Sequence, residues 1–394
     1  MAQRYDNGEN TEDHRSYRSR LFEHRVRNFY TALLILAVLA VVGFVIWFQY
    51  STHLYTGFDV LDTMKTEGAE GSQSIRMNQS LLTYSADGAH LTAGDGTVKW
   101  NQTYGIQDIL LTENRGTVAI AGYNERNIYV LNEEKQLGSF TATMPIRNIA
   151  VSKEGRVTAV LADTDSAWIN TYSSKGELIY TGQTHMTGSG YPAALALSPS
   201  GNMLMISYLY VDSGSVKSTV AFYNLSNVGD NYTDNLVKGQ DYPDQIVPVV
   251  GFLSDRVSYA VGDGRLMLYE GAEQPVVKSE TLFSEEILSV FDGNGYVGLI
   301  FASDKEGERY RLQIYNASGE QEGTYYFSLE YEDILFEKND FVIYSESDCL
   351  IRTYSGRTKF DGGMDVAVQK ILPTASAYQY VLVTGNEMIR IQLK

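Results

Sequence analysis

Apolar positions along this chain fall into two regimes. From Asn28 to Phe58 there is no Asp, Glu, Lys or Arg, and Phe29 to Phe48 is almost wholly apolar. At a helical rise of about 1.5 Å per residue such a run spans roughly 30 Å, the depth of a bilayer hydrocarbon core. Beyond residue 60 the pattern changes. No helical period lasts longer than about two turns, and short alternating or fully apolar runs are punctuated by Gly, Asn and Asp. Examples are Val118-Ala119-Ile120-Ala121, Met203-Leu204-Met205-Ile206 and Phe341-Val342-Ile343-Tyr344.

These runs recur. Strand-like segments end on Leu131, Tyr172, Tyr223, Tyr269, Tyr315 and Tyr354, in steps of 41, 51, 46, 46 and 39 residues. A period near 40–45 with about four strands per unit is the signature of a propeller blade. Units begin near Ser74, Ile106, Ile146, Ala193, Ile246, Ile287, Glu332 and Asp365. The last supplies only three strands, at 365–371, 378–384 and 387–393. The segment Tyr55 to Met64 is predicted to add the missing outer one, because a repeat ring needs a closed seam. The predicted fold is all-β: an eight-bladed β-propeller of WD40 or quinoprotein-like architecture, preceded by one transmembrane helix. Seven blades is the alternative, should residues 66–104 be irregular.

Charge orients the apolar span. Arg15, Arg18, Arg20, Arg25 and Arg27 precede it against one nearby acid, Glu23, and the first basic residue beyond it is Lys65. The positive-inside rule then predicts a cytoplasmic N-terminus and an exported propeller, single-pass in the plasma membrane. A cleaved signal peptide is the rival reading. The run exceeds a typical h-region, and Phe48 to His53 offers no small-x-small cleavage site. The organisation expected is a disordered Arg-rich cytoplasmic tail (1–28), a signal-anchor helix in the lipid bilayer (29–50) and an extracellular propeller (51–394).

The exported part holds 25 basic and 43 acidic side chains, a formal −18. Nucleic acid is an unsuitable partner for such a surface, since phosphate binding needs cationic patches. Cys349 is the only cysteine, so no intramolecular disulfide can form; a bacterial exported fold suits that usage.

Signatures of chemistry are sparse. There is no Gly-x-Ser-x-Gly, His-Glu-x-x-His or Gly-Lys-Ser/Thr motif, and His53, His90 and His185 are widely spread. Asp-Gly pairs at Asp87, Asp95, Asp263 and Asp292 read as hairpin turns. No catalytic residue, metal or cofactor is predicted, and the chain is not expected to be an enzyme. The stretch Ala93 to Trp100 is similar to the tryptophan-docking motif of quinoprotein-type propellers, which makes Trp100 a packing residue between blades. Long connections give the one site signal. Residues 183–192, 210–217 and 226–245 are expected over one sector of one face, where loops on a rigid scaffold concentrate binding residues. The candidates there are His185, Tyr191, Asp212, Lys217, Tyr232, Asp234 and Tyr242, with mutual loop packing as the alternative.

Trp100 to Tyr104, Ser189 to Pro192, Ser207 to Asn224, Ala260 to Tyr269 and Ser345 to Ile351 resemble an uncharacterised family of single-pass, membrane-anchored propeller proteins of Gram-positive anaerobic bacteria. The resemblance implies fold and topology and supplies no catalytic or ligand residues. Three functions fit. The first is a binding or scaffolding module for an exported protein or a cell-wall glycan. The second is an extracellular carbohydrate hydrolase or lyase using carboxylates at the channel mouth. The third is a structural subunit of a cell-envelope complex.

Overall fold

The computed structural model describes residues 17–51, 53–66, 71–163, 166–185, 190–212, 214–243, 245–376 and 378–394. The chain divides into two compact units, residues 1–53 and 54–394. The first contains one helix, Tyr17–Ser51. Arg25 to Val45 is its stretch long and apolar enough to cross a membrane. Phe29, Leu36 and Leu39, among others there, are exposed. The helix includes residues 17–28, which the sequence reading left unstructured. No Pro or Gly interrupts the chain between Tyr17 and Val42, so a helix propagates without a break. Arg25 and Arg27 are exposed on it, Arg18 and Arg20 lie within it, and Arg15 falls outside the described residues.

The second unit is eight four-stranded antiparallel sheets. Blades 1 to 7 run in chain order over residues 73–103, 109–141, 146–185, 191–242, 249–282, 289–327 and 333–363. Blade 8 combines Lys370–Pro373, Gln379–Val383 and Glu387–Leu393 with Phe58–Lys65 as its outermost strand. Residues 73–103 form a regular sheet, which removes the seven-blade alternative. The closing strand pairs Phe58 with Leu393 and Lys65 with Glu387, across a register shift between Val60 and Asp62. Tyr55 holds the entering chain to blade 7, its amide donating to the Lys359 carbonyl at 2.8 Å.

Within a blade the strands are lettered A to D from the axis outward. A–B and C–D turns then share one face, here the lower, while B–C turns and blade-to-blade connections share the upper. The B strands, such as Thr117–Gly122 and Val257–Gly262, are buried along their whole length. Neighbouring sheets cover both of their faces, which explains their continuous apolar runs. D strands lie at the rim, and their polarity follows from exposure.

The periodic residue has a physical role. At the end of the C strand in blades 3 to 5 it packs on the preceding blade: Tyr172 on Phe140 at 5.1 Å, Tyr223 on Tyr180 at 5.7 Å, Tyr269 on Phe222 at 4.9 Å. The register between strands C and D also shifts beside it, at Leu131, Tyr172, Tyr223, Tyr269 and Tyr315. A bulge there increases the local twist and swings the D strand away. Trp100 joins blades as expected, donating its indole N–H to the Asn132 carbonyl of blade 2 at 2.8 Å.

Candidate functional site

The eight A strands and their turns surround an axial chamber of about 1100 Å³ near the lower face. Its charged wall residues come from five blades: Arg76 from blade 1, Glu113, Arg115 and Glu133 from blade 2, Lys153 from blade 3, Asp292 from blade 6 and Glu337 from blade 7.

Local turn chemistry sets their positions. Blade 2 reverses through Arg115 (φ 48°) and Gly116 (φ 86°), and blade 6 through Asn294 (φ 47°) and Gly295 (φ 85°). Successive positive φ values suit the two-residue hairpin, and Asn-Gly is its favoured pair. Arginine in that position is strained, because its Cβ crowds the backbone. The Gly116 amide donates to the Glu113 carboxylate at 2.6 Å and fixes the turn.

Side chains from this turn then reach across the ring. Asn114 donates to the Val151 carbonyl of blade 3 at 3.0 Å and the Leu197 carbonyl of blade 4 at 3.1 Å. The Arg115 guanidinium donates to the Leu253 carbonyl of blade 5 at 2.6 Å. From blade 1, Arg76 passes blade 8 to meet Glu337 of blade 7 at 3.0 Å. Asn78 of blade 1 donates to Glu133 of blade 2 at 3.0 Å, and Asn294 of blade 6 donates to the Phe336 carbonyl of blade 7. The lower face is laced from blade to blade.

Burial shifts the chamber carboxyls. Glu113 is raised chiefly by desolvation, against the Gly116 amide and the Arg76 charge, with Asp292 and Glu133 adding repulsion. Asp292 is raised for the same reason, although the Tyr259 hydroxyl donates to it and Arg115 faces it. Asp292 faces the open space of the chamber, and the surrounding protein walls desolvate its charge. Glu337 is raised by burial against the stabilising Arg76. Among the described residues, no three His, Cys, Asp or Glu side chains are placed to hold a metal ion.

The loop candidates are only partly brought together. Tyr191 opens the A strand of blade 4, opposite Leu209 in the neighbouring strand. Asp212 and Lys217 pair at 2.7 Å near the tip of the same blade's B–C hairpin. His185 ends the D strand of blade 3, so these four lie along the upper edge of blades 3 and 4. Tyr232 and Asp234 lie on the lower face instead. They belong to the C–D loop of blade 4, which turns through Asp234 (φ 54°) and Asn235 (φ 59°) before Leu236–Tyr242 forms the D strand. The expected single loop over 226–245 is therefore corrected to a loop, a strand and a connection. Lys238 to Asp241 looked loop-like because a rim strand is polar. Tyr242 is a buried packing residue, its hydroxyl 2.6 Å from that of Tyr269, and burial raises its phenol. Residues 186–189, 213 and 244 of these loops lie outside the described set.

Sequence reading missed Arg76, Glu113, Arg115 and Glu337, and its hairpin turn at Asp292-Gly293 is corrected: both residues end the strand Ser289–Gly293, and the chain reverses one step later, at Asn294-Gly295. Asn294-Gly295 is a favoured hairpin pair and carries a local signal, whereas Arg115-Gly116 carries a weaker one. Their convergence was not legible, since the chamber carboxyls come from three blades.

Three solved propellers are similar in architecture. BamB from Moraxella catarrhalis aligns at TM-score 0.49 and 11% identity, over 86% of this chain and 100% of that one. Hsv2p of Kluyveromyces lactis aligns at 0.46 and 10%, over 79% and 98%. The Neurospora crassa Pan2 WD40 domain aligns at 0.43 and 9%, over 72% and 88%. No activity, ligand or partner is carried over at these identities. No curated protein matches the chain. Residues 51–393 match the model described as "Family of unknown function (DUF5711)", and the chain belongs to that family.

Proposed function

We infer that this protein is a membrane-tethered binding or scaffolding module, held by its N-terminal helix with the propeller outside the cell. The observation that carries the reading is the distribution of exposed apolar side chains. Of sixteen large hydrophobic residues exposed between Leu54 and Lys394 among those described, nine lie between Tyr191 and Leu288, and none lies beyond 288. Scattered apolar residues are normal on a surface; a sector that concentrates them marks an interaction site. At its upper edge Val211 and Val216 stand opposite each other at the end of the blade 4 hairpin, 72% and 45% exposed. The partner suited to this sector is an exported protein or a wall glycan presenting an apolar face. The arginines on the N-terminal side of the apolar stretch support a cytoplasmic N-terminus.

The test is recovery from cell-surface extract by the full chain and by its Val211→Ser/Val216→Ser variant. A partner retained by the native chain and lost by the variant supports the reading. Equal recovery of every partner by both forms counts against the sector.

A glycan-cleaving function has one observation in its favour. Glu113, Asp292 and Glu337 line one chamber, and burial raises all three, as a general acid requires. Each already has a protein partner. Release of reducing ends from purified wall glycan, abolished by Glu113→Gln or Asp292→Asn, decides this alternative.

A further inference from the structure

The chamber wall is divided by blade. Blades 3, 4 and 5 line it with apolar side chains, among them Leu195, Ala196, Val250 and Phe252, and with one charged residue, Lys153. The lining residues of blades 6, 7, 1 and 2 are polar or Gly without exception. Leu195, Ala196, Val250 and Phe252 are half-buried. Three of them, Leu195, Val250 and Phe252, pack outward on the blade cores, and the rest of their surface meets the chamber. Apolar area left in an open cavity favours a ligand that covers it.

Two cations stand at the lower rim of this apolar arc. Arg115 and Lys153 are exposed, and they come from adjacent turns joined by the Thr117 hydroxyl, which donates to the Lys153 carbonyl at 2.7 Å. Arg115 Nη2 holds the Leu253 carbonyl, next in the chain to the blade 5 strand that carries Val250 and Phe252. A guanidinium has five N–H donors, so this tie orients the group and leaves others for a ligand. The Arg115 backbone (φ 48°) is one that an arginine adopts at a cost, and such strain gathers at ligand clamps.

The other charges of the wall are engaged or stand elsewhere. Arg76 pairs with Glu337, Glu133 with Lys99, and the Gly116 amide holds Glu113. Asp292 is exposed on blade 6, where it repels an anion towards the turns of blades 2 and 3.

We propose that the chamber binds a small organic anion with an apolar body. The anionic group lies between Arg115 and Lys153, and the body rests on Leu195, Val250 and Phe252. The space of about 1100 Å³ suits a small molecule. This site is separate from the partner sector of blades 4 and 5 and does not depend on it.

The test is ligand titration of the full chain in zwitterionic nanodiscs, with empty nanodiscs subtracted. Three probes share one apolar body and differ in charge: 4-phenylbutyrate, 4-phenylbutanol and 4-phenylbutylammonium. Phenylbutyrate should bind at least about tenfold tighter than the other two. Butyrate, which lacks the ring, should bind about tenfold more weakly than phenylbutyrate. Lys153→Gln and Arg115→Asn should each weaken phenylbutyrate binding roughly fivefold, and Asn tolerates the positive φ. Lys175→Gln removes an exposed cation of blade 3 outside the chamber and should leave the affinity within about twofold. No measurable binding of phenylbutyrate by the native chain overturns the proposal. So does equal affinity for the ammonium probe or for butyrate. Native affinity in Lys153→Gln also overturns it, as does an equal loss in Lys175→Gln, which makes the effect one of general surface charge.

Discussion

The lower end of the axis and the upper edge of blade 4 put their polar side chains to opposite uses. At the axis, Arg76, Asn78, Asn114, Arg115 and Asn294 leave their own blades and find acceptors on others. At the upper edge, the blade 4 hairpin satisfies itself: Asp212 pairs with Lys217 five residues on, and Val211 faces Val216. One region spends its polar groups on joining blades, while the other keeps its contacts local and leaves apolar surface open. A ring built of separate sheets gains rigidity from the first arrangement and a place for partners from the second.

The contrast can be broken at several strengths. The largest effect belongs to the interior beneath the open sector, which should be as tightly held as any other. Phe222 is fully buried against Tyr269 between blades 4 and 5. Phe222→Ala should destabilise the propeller by about 3–5 kcal/mol, read as a large drop in melting temperature. A negligible shift would mean that this sector is loose through its depth rather than only at its surface.

Next comes Arg76→Ala, which strands the Glu337 carboxylate in a largely enclosed site. Both side chains are one-quarter exposed, so the loss should be about 2 kcal/mol, below that of a fully buried pair. Chemical denaturation measures it, and Glu337→Gln in the same background should recover part of it.

A smaller effect is expected from pH. Glu113, Asp292 and Glu337 are all raised by burial in the folded protein, so the fold binds their protons more tightly than the unfolded chain does. Their contribution to stability is fully present below the ordinary carboxyl values of 4.5 for Glu and 3.8 for Asp. It is lost as pH rises through the raised values. Melting temperature should therefore fall as pH rises from that range towards neutrality, and Glu113→Gln should flatten the slope. A variant with an unchanged slope would assign the dependence elsewhere. Smallest is Val211→Ser/Val216→Ser, with a stability change within about 0.5 kcal/mol while partner recovery is lost.

Much of the ring was legible in the sequence because its signals are local. Fully apolar B strands, the tyrosine at the end of the C strand in blades 3 to 7 and the Gly turns marked eight units, and the orphan strand at 55–64 indicated the closure. Boundaries slipped where strands are shortest or most polar. Blade 8 begins at Lys370 rather than Asp365, and the rim strand Leu236–Tyr242 looked like loop. That slip placed Tyr232 and Asp234 on the wrong face. The chamber was illegible for a different reason. Arg76 and Glu337 lie 261 residues apart, Arg115 and Leu253 138, and no local pattern records a meeting set by ring geometry.

Residue-resolved hydrogen exchange on the native full chain tests the division between these two regions most directly. Amides of the tied turns, Gly116 and Leu253, should exchange with the slow core, while those at the hairpin tip beside Val211 and Val216 exchange orders of magnitude faster. Equal rates at the two places, or slower exchange at the hairpin tip, would contradict the account.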